Sequence, residues 1–331
     1  MKYIREKELL QMNIGILGTG FGAYHAAILK KLDSVDRVVI FGRNEDKLHK
    51  LKEELGVEIT SSIENIMQDS GLDIIDICLP SPLHKKYTLE ALKAGKHAFC
   101  ETPVVLSLED ATAMREAELQ YGKRILVNQF IKFDPAYQYL YESARQEKYG
   151  KLLHVSVKRE TPPLWGNLGL DTLPTNLMIH ELDFITWLLG STALSSVWGT
   201  NGGKEEQALV RVSFEESGVS AEVTVSSLMP DSYPFTVGYE AYFEQAKLVF
   251  HESDDMQGNI DTALYEYSKA GKQEIVLEKQ DPYKQSLQHA IHCLQDGSES
   301  VLSLNLALQS MEIALDLKQR LTGSTDLARN Q

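Results

Sequence analysis

The 331-residue chain carries 33 basic and 47 acidic side chains, a formal net charge of −14, with 43% hydrophobic and 24% charged positions. That length exceeds one ordinary core and predicts two domains, with the composition of a globular protein. The charge opposes a nucleic-acid polyanion, no basic stripe offsets it, and no apolar run is long enough to span a bilayer.

Residues 1–11 mix charges with isolated apolar positions, lack the apolar centre of a signal peptide, and read as a dispensable extension before Met12. Ile14, Ile16 and Leu17 then form a short apolar run, followed at once by Gly18-Thr19-Gly20-Phe21-Gly22-Ala23 and a helix-compatible segment from Tyr24 to Lys31. Strand, glycine turn and helix N-terminus together form a phosphate cradle. Gly18 makes the turn, Gly20 lets a pyrophosphate approach the backbone, and a small residue at Ala23 lets the helix pack on the strand.

Val38 to Phe41 is the second expected strand, ending at Gly42 and Arg43, and Asn44-Glu45-Asp46 is a helix start. The strand ends about 20 residues beyond the loop, where an NAD-selective site places an acid for the ribose 2′-hydroxyl. Gly42 and Arg43 stand there instead. A guanidinium beside a small residue suits a 2′-phosphate, so NADP(H) is favoured over NAD(H), although Arg43 also reads as a solvated loop residue. Ile59-Thr60 is a short strand and Ile63 to Ser70 a short helix. Asp73 to Leu79 is a buried-type strand stopping at Pro80-Ser81-Pro82, and ligands lie beyond the carboxyl ends of such strands, so Leu79 to His84 should face the cofactor. A helix over 85–94, a strand His97 to Cys100, a helix over 107–121 and a strand from Ile125 to Phe130 complete six βα repeats. Such a rhythm is that of a doubly wound parallel sheet.

From Lys151 the rhythm changes. Strands are expected over 152–160, 195–200, 208–215, 219–226, 235–251 and 263–278, with a helix over 177–189 and two more, 282–295 and 304–321, closing the chain. This is an α+β domain on a mostly antiparallel open sheet, with domain limits of 12–133 and 134–323. Cys78, Cys100 and Cys293 are odd in number and widely spaced, without metal-type spacing, which predicts a reducing, cytoplasmic setting and no metal.

These residues resemble the glucose–fructose oxidoreductase/inositol dehydrogenase (Gfo/Idh/MocA) family over nearly the whole chain. Ala94 to Pro103, A-G-K-H-A-F-C-E-T-P, is similar to the family's A-G-K-H-V-x-x-E-K-P block. Pro80 to His84 resembles its P-x-x-x-H turn beside the nicotinamide, Phe133 to Tyr137 its segment after the sixth strand, and His180-Glu181-Leu182-Asp183 its H-x-x-D helix. The resemblance implies a Rossmann domain, a C-terminal sheet domain, and hydride transfer between NAD(P) and a sugar or polyol. It also implies a homodimer or homotetramer joined through the sheets. It places Glu101 at the nicotinamide ribose and adds Gln129, at the sixth strand end, to the cofactor residues.

The departures bear on chemistry. The family relies on a Lys in E-K-P and an Asp four residues before the His; Thr102 and Asn176 stand at those positions. Thr offers only a neutral hydroxyl, and an Asn amide does not titrate. His180 remains, and its ordinary pKa of about 6.5 suits a general base. General acid–base assistance is worth roughly 10²–10⁴-fold, or about 3–5.5 kcal/mol, whereas positioning alone supplies about 7–11 kcal/mol. Catalysis can therefore survive on His180, with Thr102 and Asn176 binding substrate hydroxyls or standing as inert replacements. Lys132 either takes over the missing Lys role or is a solvated surface residue, and Asp171 could replace the carboxylate. Trp165 is a candidate sugar-stacking ring, His25 reads as a packing residue of the first helix, and Cys100 as a buried strand residue. Two readings follow: an NADP(H)-dependent oxidoreductase, or a nucleotide- or sugar-binding regulator that lost the reaction.

Overall fold

The computed structural model describes residues 11–190, 193–203 and 206–328; the expected N-terminal extension falls almost wholly outside them. Two compact units are present. The first runs to Phe130 and takes in Asp281–Ala307. It contains β1 (Met12–Leu17), α1 (Phe21–Leu29), β2 (Val35–Phe41), α2 (Glu45–Leu55), β3 (Glu58–Thr60), α3 (Ile63–Gln68), β4 (Ile74–Ile77), α4 (His84–Lys93), β5 (His97–Cys100), α5 (Leu108–Tyr121) and β6 (Ile125–Val127). The strands pair in parallel in the order β3-β2-β1-β4-β5-β6. β4 is buried at every position, as a parallel strand covered on both faces must be.

Local signals explain the helix ends. Asn44, Ser62 and Ser107 each accept a backbone N–H at the start of α2, α3 and α5. Gly56 and Gly122 close α2 and α5 in the left-handed conformation, where a side chain is strained. β6 is shorter than expected. It ends at Val127, and the chain turns into a short 3-10 segment over Phe130–Phe133, leaving Asn128 and Gln129 beyond the sheet.

The second unit comprises Ile131–Gln280 and the described residues from Leu308. After α6 (Pro135–Arg145), β7 (Leu152–Glu160), α7 (Leu173–Asn176) and α8 (Ile179–Leu189) come β8 (Leu194–Asn201), β9 (Ala208–Glu216), β10 (Val219–Ser226), β11 (Phe235–Phe243), β12 (Ala246–Asp254), β13 (Ile260–Ser268) and β14 (Gly271–Glu274). The order is β14-β13-β12-β11-β7-β10-β9-β8, antiparallel except for the β7–β10 pair. Alternation along β7 and β9 buries one face, on which α8 packs against β7 and β10, and leaves the other partly open. α9 (Pro282–Asp296) belongs to the first unit, and α10 (Leu304–Ala328) begins there and continues in the second.

The C-terminal strands correct one expectation. Residues 235–251 are not one strand but a hairpin turning at Glu244-Gln245, and 263–278 likewise folds back at Ala270 into β14. The first turn holds neither glycine nor proline, so the interspersed apolar and polar positions of Phe243 to Leu248 read as one continuous strand. Among the described residues no helix is long and apolar enough to cross a membrane.

Candidate cofactor and catalytic residues

Gly18 has φ +110°, and a Cβ there would lie 2.5 Å from the Cys78 carbonyl oxygen; only glycine fits this turn. Gly22 is the close-packing residue of the helix, since a Cβ would meet Ile16 Cγ2 at 2.7 Å, a role the sequence assigned to its neighbour Ala23. Nothing lies within 4 Å of a Cβ on Gly20, so the backbone there faces open space. α1 starts at Gly20 with no side-chain cap and no acid in its first turn, unlike α2, α3 and α5. Free N–H groups and the helix dipole are thus left for an anion.

The other expected cofactor residues lie in the same unit. Thr19 follows Gly18 in the loop, Phe21 is exposed, Gly42 is buried and Arg43 is exposed just past β2. Leu79, Pro80 and Ser81 follow β4, and all keep some exposure. His84 is buried, its Nδ1 2.9 Å from the Pro103 carbonyl and its Nε2 2.6 Å from that of Leu79. Burial pulls its pKa down against those two carbonyls. Its role in this geometry is to tie the turn after β4 to the Thr102-Pro103 segment. Gln129 is fully buried and its side-chain amide makes no hydrogen bond among the described residues. An unsatisfied buried amide costs about 1–3 kcal/mol, and a ligand carboxamide or hydroxyl would satisfy it. The uncapped helix, the open cradle at Gly20 and this amide fit a dinucleotide.

A polar chain lies beside the glycine loop. His25, on α1, places Nδ1 2.8 Å from Asp76 Oδ2 and Nε2 3.3 Å from Glu101 Oε1. Asn128 Nδ2 donates to Glu101 Oε1 at 2.6 Å, and Ser286 Oγ donates to Asn128 Oδ1 at 2.7 Å. Burial alone would discharge His25, but Asp76, then Glu101 and Asp281, raise its pKa to about 9. Burial pushes Glu101 up to about 7, with His25 and Asn128 pulling the other way. His25 is therefore more than a packing residue. Its one sequence signal was Asp76, an acid in the middle of an apolar strand.

In the second unit, His180 sits in the first turn of α8 and keeps some exposure. Desolvation and then the Arg159 charge hold its pKa well below the ordinary imidazole value. The ring's partial exposure weakens the first cause, and Arg159 preserves the direction. A neutral imidazole is competent to accept a proton at neutral pH. Arg159 is itself fixed to buried Glu181, Nε to Oε1 at 2.8 Å and Nη2 to Oε1 at 2.7 Å. Sequence reasoning missed this pair, for Arg159 looks like an ordinary strand residue. Asn176 ends α7 exposed and accepts from Thr175 Oγ1, while Asp171 is also exposed. Trp165 is exposed and edge-on to Phe235 at 5.2 Å.

Lys132 departs from the solvated-surface expectation. Its Nζ is buried between Asp183 Oδ1 at 3.0 Å and Oδ2 at 2.9 Å. Thr102, in the first unit, is half-buried between Glu101 and Pro103.

Residues 12–129 match the model of an oxidoreductase family with an NAD-binding Rossmann fold, Gfo/Idh/MocA. Myo-inositol 2-dehydrogenase of Thermotoga maritima is 30% identical over 190 residues, 54% of this chain and 55% of that protein. An inositol 2-dehydrogenase of Pseudomonas savastanoi is 27% identical over 56% of this chain and 57% of its own. The chain thus spans about half the length of the curated relatives it matches. The fold extends further: UDP-N-acetylglucosamine 3-dehydrogenase of Acidithiobacillus ferrooxidans superposes with a TM-score of 0.76 over 93% of this chain and 96% of its own, at 19% identity. Glycine turn, strand-end turns and family match converge on residues 12–129, which match the NAD-binding Rossmann domain of the Gfo/Idh/MocA oxidoreductase family.

Proposed function

We propose that the protein is an NADP(H)-preferring oxidoreductase acting on a carbinol or carbonyl carbon of a sugar, sugar phosphate or polyol. The observation that carries this reading is the start of α1, uncapped and free of acids above an open Gly20, with the unsatisfied Gln129 amide in the same unit. Gly18, Thr19, Gly20, Phe21 and Gly22 hold the pyrophosphate, and Arg43 beside Gly42 pairs with a 2′-phosphate. Leu79, Pro80 and Ser81 line the cofactor, with His84 bracing their turn. When bound, the nicotinamide supplies or accepts the hydride. His180, held neutral, takes the proton of the substrate hydroxyl in oxidation and returns it in reduction. Thr102 and Asn176 orient substrate hydroxyls, since neither titrates. The named inositol dehydrogenases and the nucleotide-sugar dehydrogenase favour a polyhydroxylated substrate. Self-association through the open sheet face, where Trp198 and Tyr242 stay exposed, belongs to the same proposal.

The test is turnover with NADP⁺ and NADPH against a panel of sugars, sugar phosphates, polyols and their keto forms, followed by nicotinamide absorbance. Substrate-dependent turnover that falls roughly 10²–10⁴-fold in His180→Ala supports the assignment. Folded protein that binds NADPH but turns over nothing favours the regulatory reading. An active enzyme indifferent to His180→Ala removes His180 from the proton step.

A further inference from the structure

We propose that His25, anchored by Asp76, is a positioning residue that sets the charge and aim of Glu101 toward the bound nicotinamide nucleotide; this rests on the cofactor reading above. The chain Asp76–His25–Glu101–Asn128–Ser286 draws on β4, α1, the end of β5, the end of β6 and α9. His25, Asn128 and Ser286 are fully buried and Asp76 is 1% exposed, whereas Glu101 keeps 16% of its side chain open. The network therefore reaches solvent at Glu101, the member the cofactor can meet. Asn128 is fixed from behind by Ser286, so its amide N–H is committed to Glu101.

The groups facing His25 are one-sided. Asp76 and the Cys78 thiol come from β4 and its end, Glu101 from β5, and Asp281 from the start of α9. Phe21, Phe99 and Tyr283 surround the ring edge-on or tilted. Among the described residues every charged neighbour is an acid, so the imidazole stays protonated across the neutral range. Glu101 is then the group that exchanges its proton near pH 7. His25, Cys78 and Glu101 also place donor atoms within 4.8 Å of one another, a spacing open to a divalent ion. Cys78 Sγ, however, lies 3.4 Å from Nδ1, the nitrogen Asp76 already holds, and it donates to Asp76. The cluster is organised around protons.

The experiment measures NADPH affinity of the full chain by calorimetry from about pH 5.5 to 9, together with ¹³C NMR of labelled glutamate carboxyls, Glu101→Gln supplying the assignment. In the wild type, Glu101 titrates near 7, and NADPH binds about three- to ten-fold more weakly once it is protonated. The 2′-phosphate titrates at about pH 6, so the transition that counts is the one Glu101→Gln abolishes. His25→Gln should raise the Glu101 midpoint by about one pH unit, in NMR and binding alike. A lowered melting temperature with an unmoved midpoint overturns the proposal, as does a midpoint that EDTA shifts. Glu101 titrating as expected without NADPH binding at any pH overturns the cofactor reading instead, and the role of His25 with it.

Discussion

Lys132 and Asp183 in the second unit, and His25, Asp76 and Glu101 in the first, are both buried charge clusters, built to opposite stoichiometries. The second-unit pair sets one cation against one anion at 2.9 Å, each side chain 1% exposed, with Ser310 on the carboxylate. Burial pushes the Asp183 carboxyl up, and Lys132 pulls it back. In the first unit two carboxylates share one imidazole, and one of them keeps contact with solvent. A closed pair balances its own charge away from solvent. An acid-rich chain with an open end responds to pH and to a ligand.

Breaking the closed pair should give the largest effect. Lys132→Met leaves Asp183 buried and uncompensated, a loss of about 3–5 kcal/mol that urea unfolding reads directly. Adding Asp183→Leu should restore most of it, because the cost lies in the orphaned charge rather than in the missing pair. The double variant also sharpens the functional comparison. If turnover returns with stability, Lys132 is structural; if stability returns and turnover does not, Lys132 belongs to the chemistry.

The open chain predicts a pH-dependent stability of the other kind. The folded pKa of His25, about 9, lies above its unfolded value of 6.5, so the native state binds the extra proton between those limits. Its contribution is complete below pH 6.5 and is lost as pH rises through 9, with a full size on the order of 3 kcal/mol. Glu101, raised from 4.5 to about 7, has the same sign: protonation stabilises the fold, and that contribution is complete below pH 4.5 and lost as pH rises to about 7. Unfolding free energies of wild type and His25→Gln should therefore converge between pH 6.5 and 9. Parallel curves would mean the imidazole is not held charged.

A smaller effect is expected from an exposed charge that acts only on a ligand. Arg43→Ala should leave stability unchanged and weaken NADPH binding about ten-fold while leaving NADH binding alone, since charge-assisted hydrogen bonds to the 2′-phosphate are all it removes. Equal losses for both dinucleotides would place Arg43 elsewhere on the cofactor.

The two regions were unequally legible in sequence for physical reasons. The Rossmann sheet announces itself through strand, glycine turn and helix in fixed order, and Asn44, Ser107, Gly56 and Gly122 mark helix ends where backbone groups need partners. Gly18 was readable because its turn excludes every side chain. The charge clusters were not, because they join residues far apart in the chain: Asp76 to His25, Asn128 to Ser286, Lys132 to Asp183. Only their isolated apolar contexts hinted at burial. The hairpin at Glu244-Gln245 escaped notice because polar residues at a tight turn and on an open strand face look alike without glycine or proline.

The exposed ion pairs complete the comparison from the other end. Arg37 makes short surface contacts in the first unit, 2.6 Å from both Glu58 oxygens and 2.6 Å from Asp69 Oδ2. By distance alone it should outrank His25, whose second contact is 3.3 Å. Yet the Arg37 side chain is 33% exposed and Glu58 56%, so water and salt screen both the attraction and the cost of losing it. Arg37→Ala should therefore cost below about 1 kcal/mol in urea unfolding, and less again in molar salt, where the Debye length shrinks to about 3 Å. A loss equal to that of Lys132→Met would show that bond length, not desolvation, sets the worth of charge in this protein.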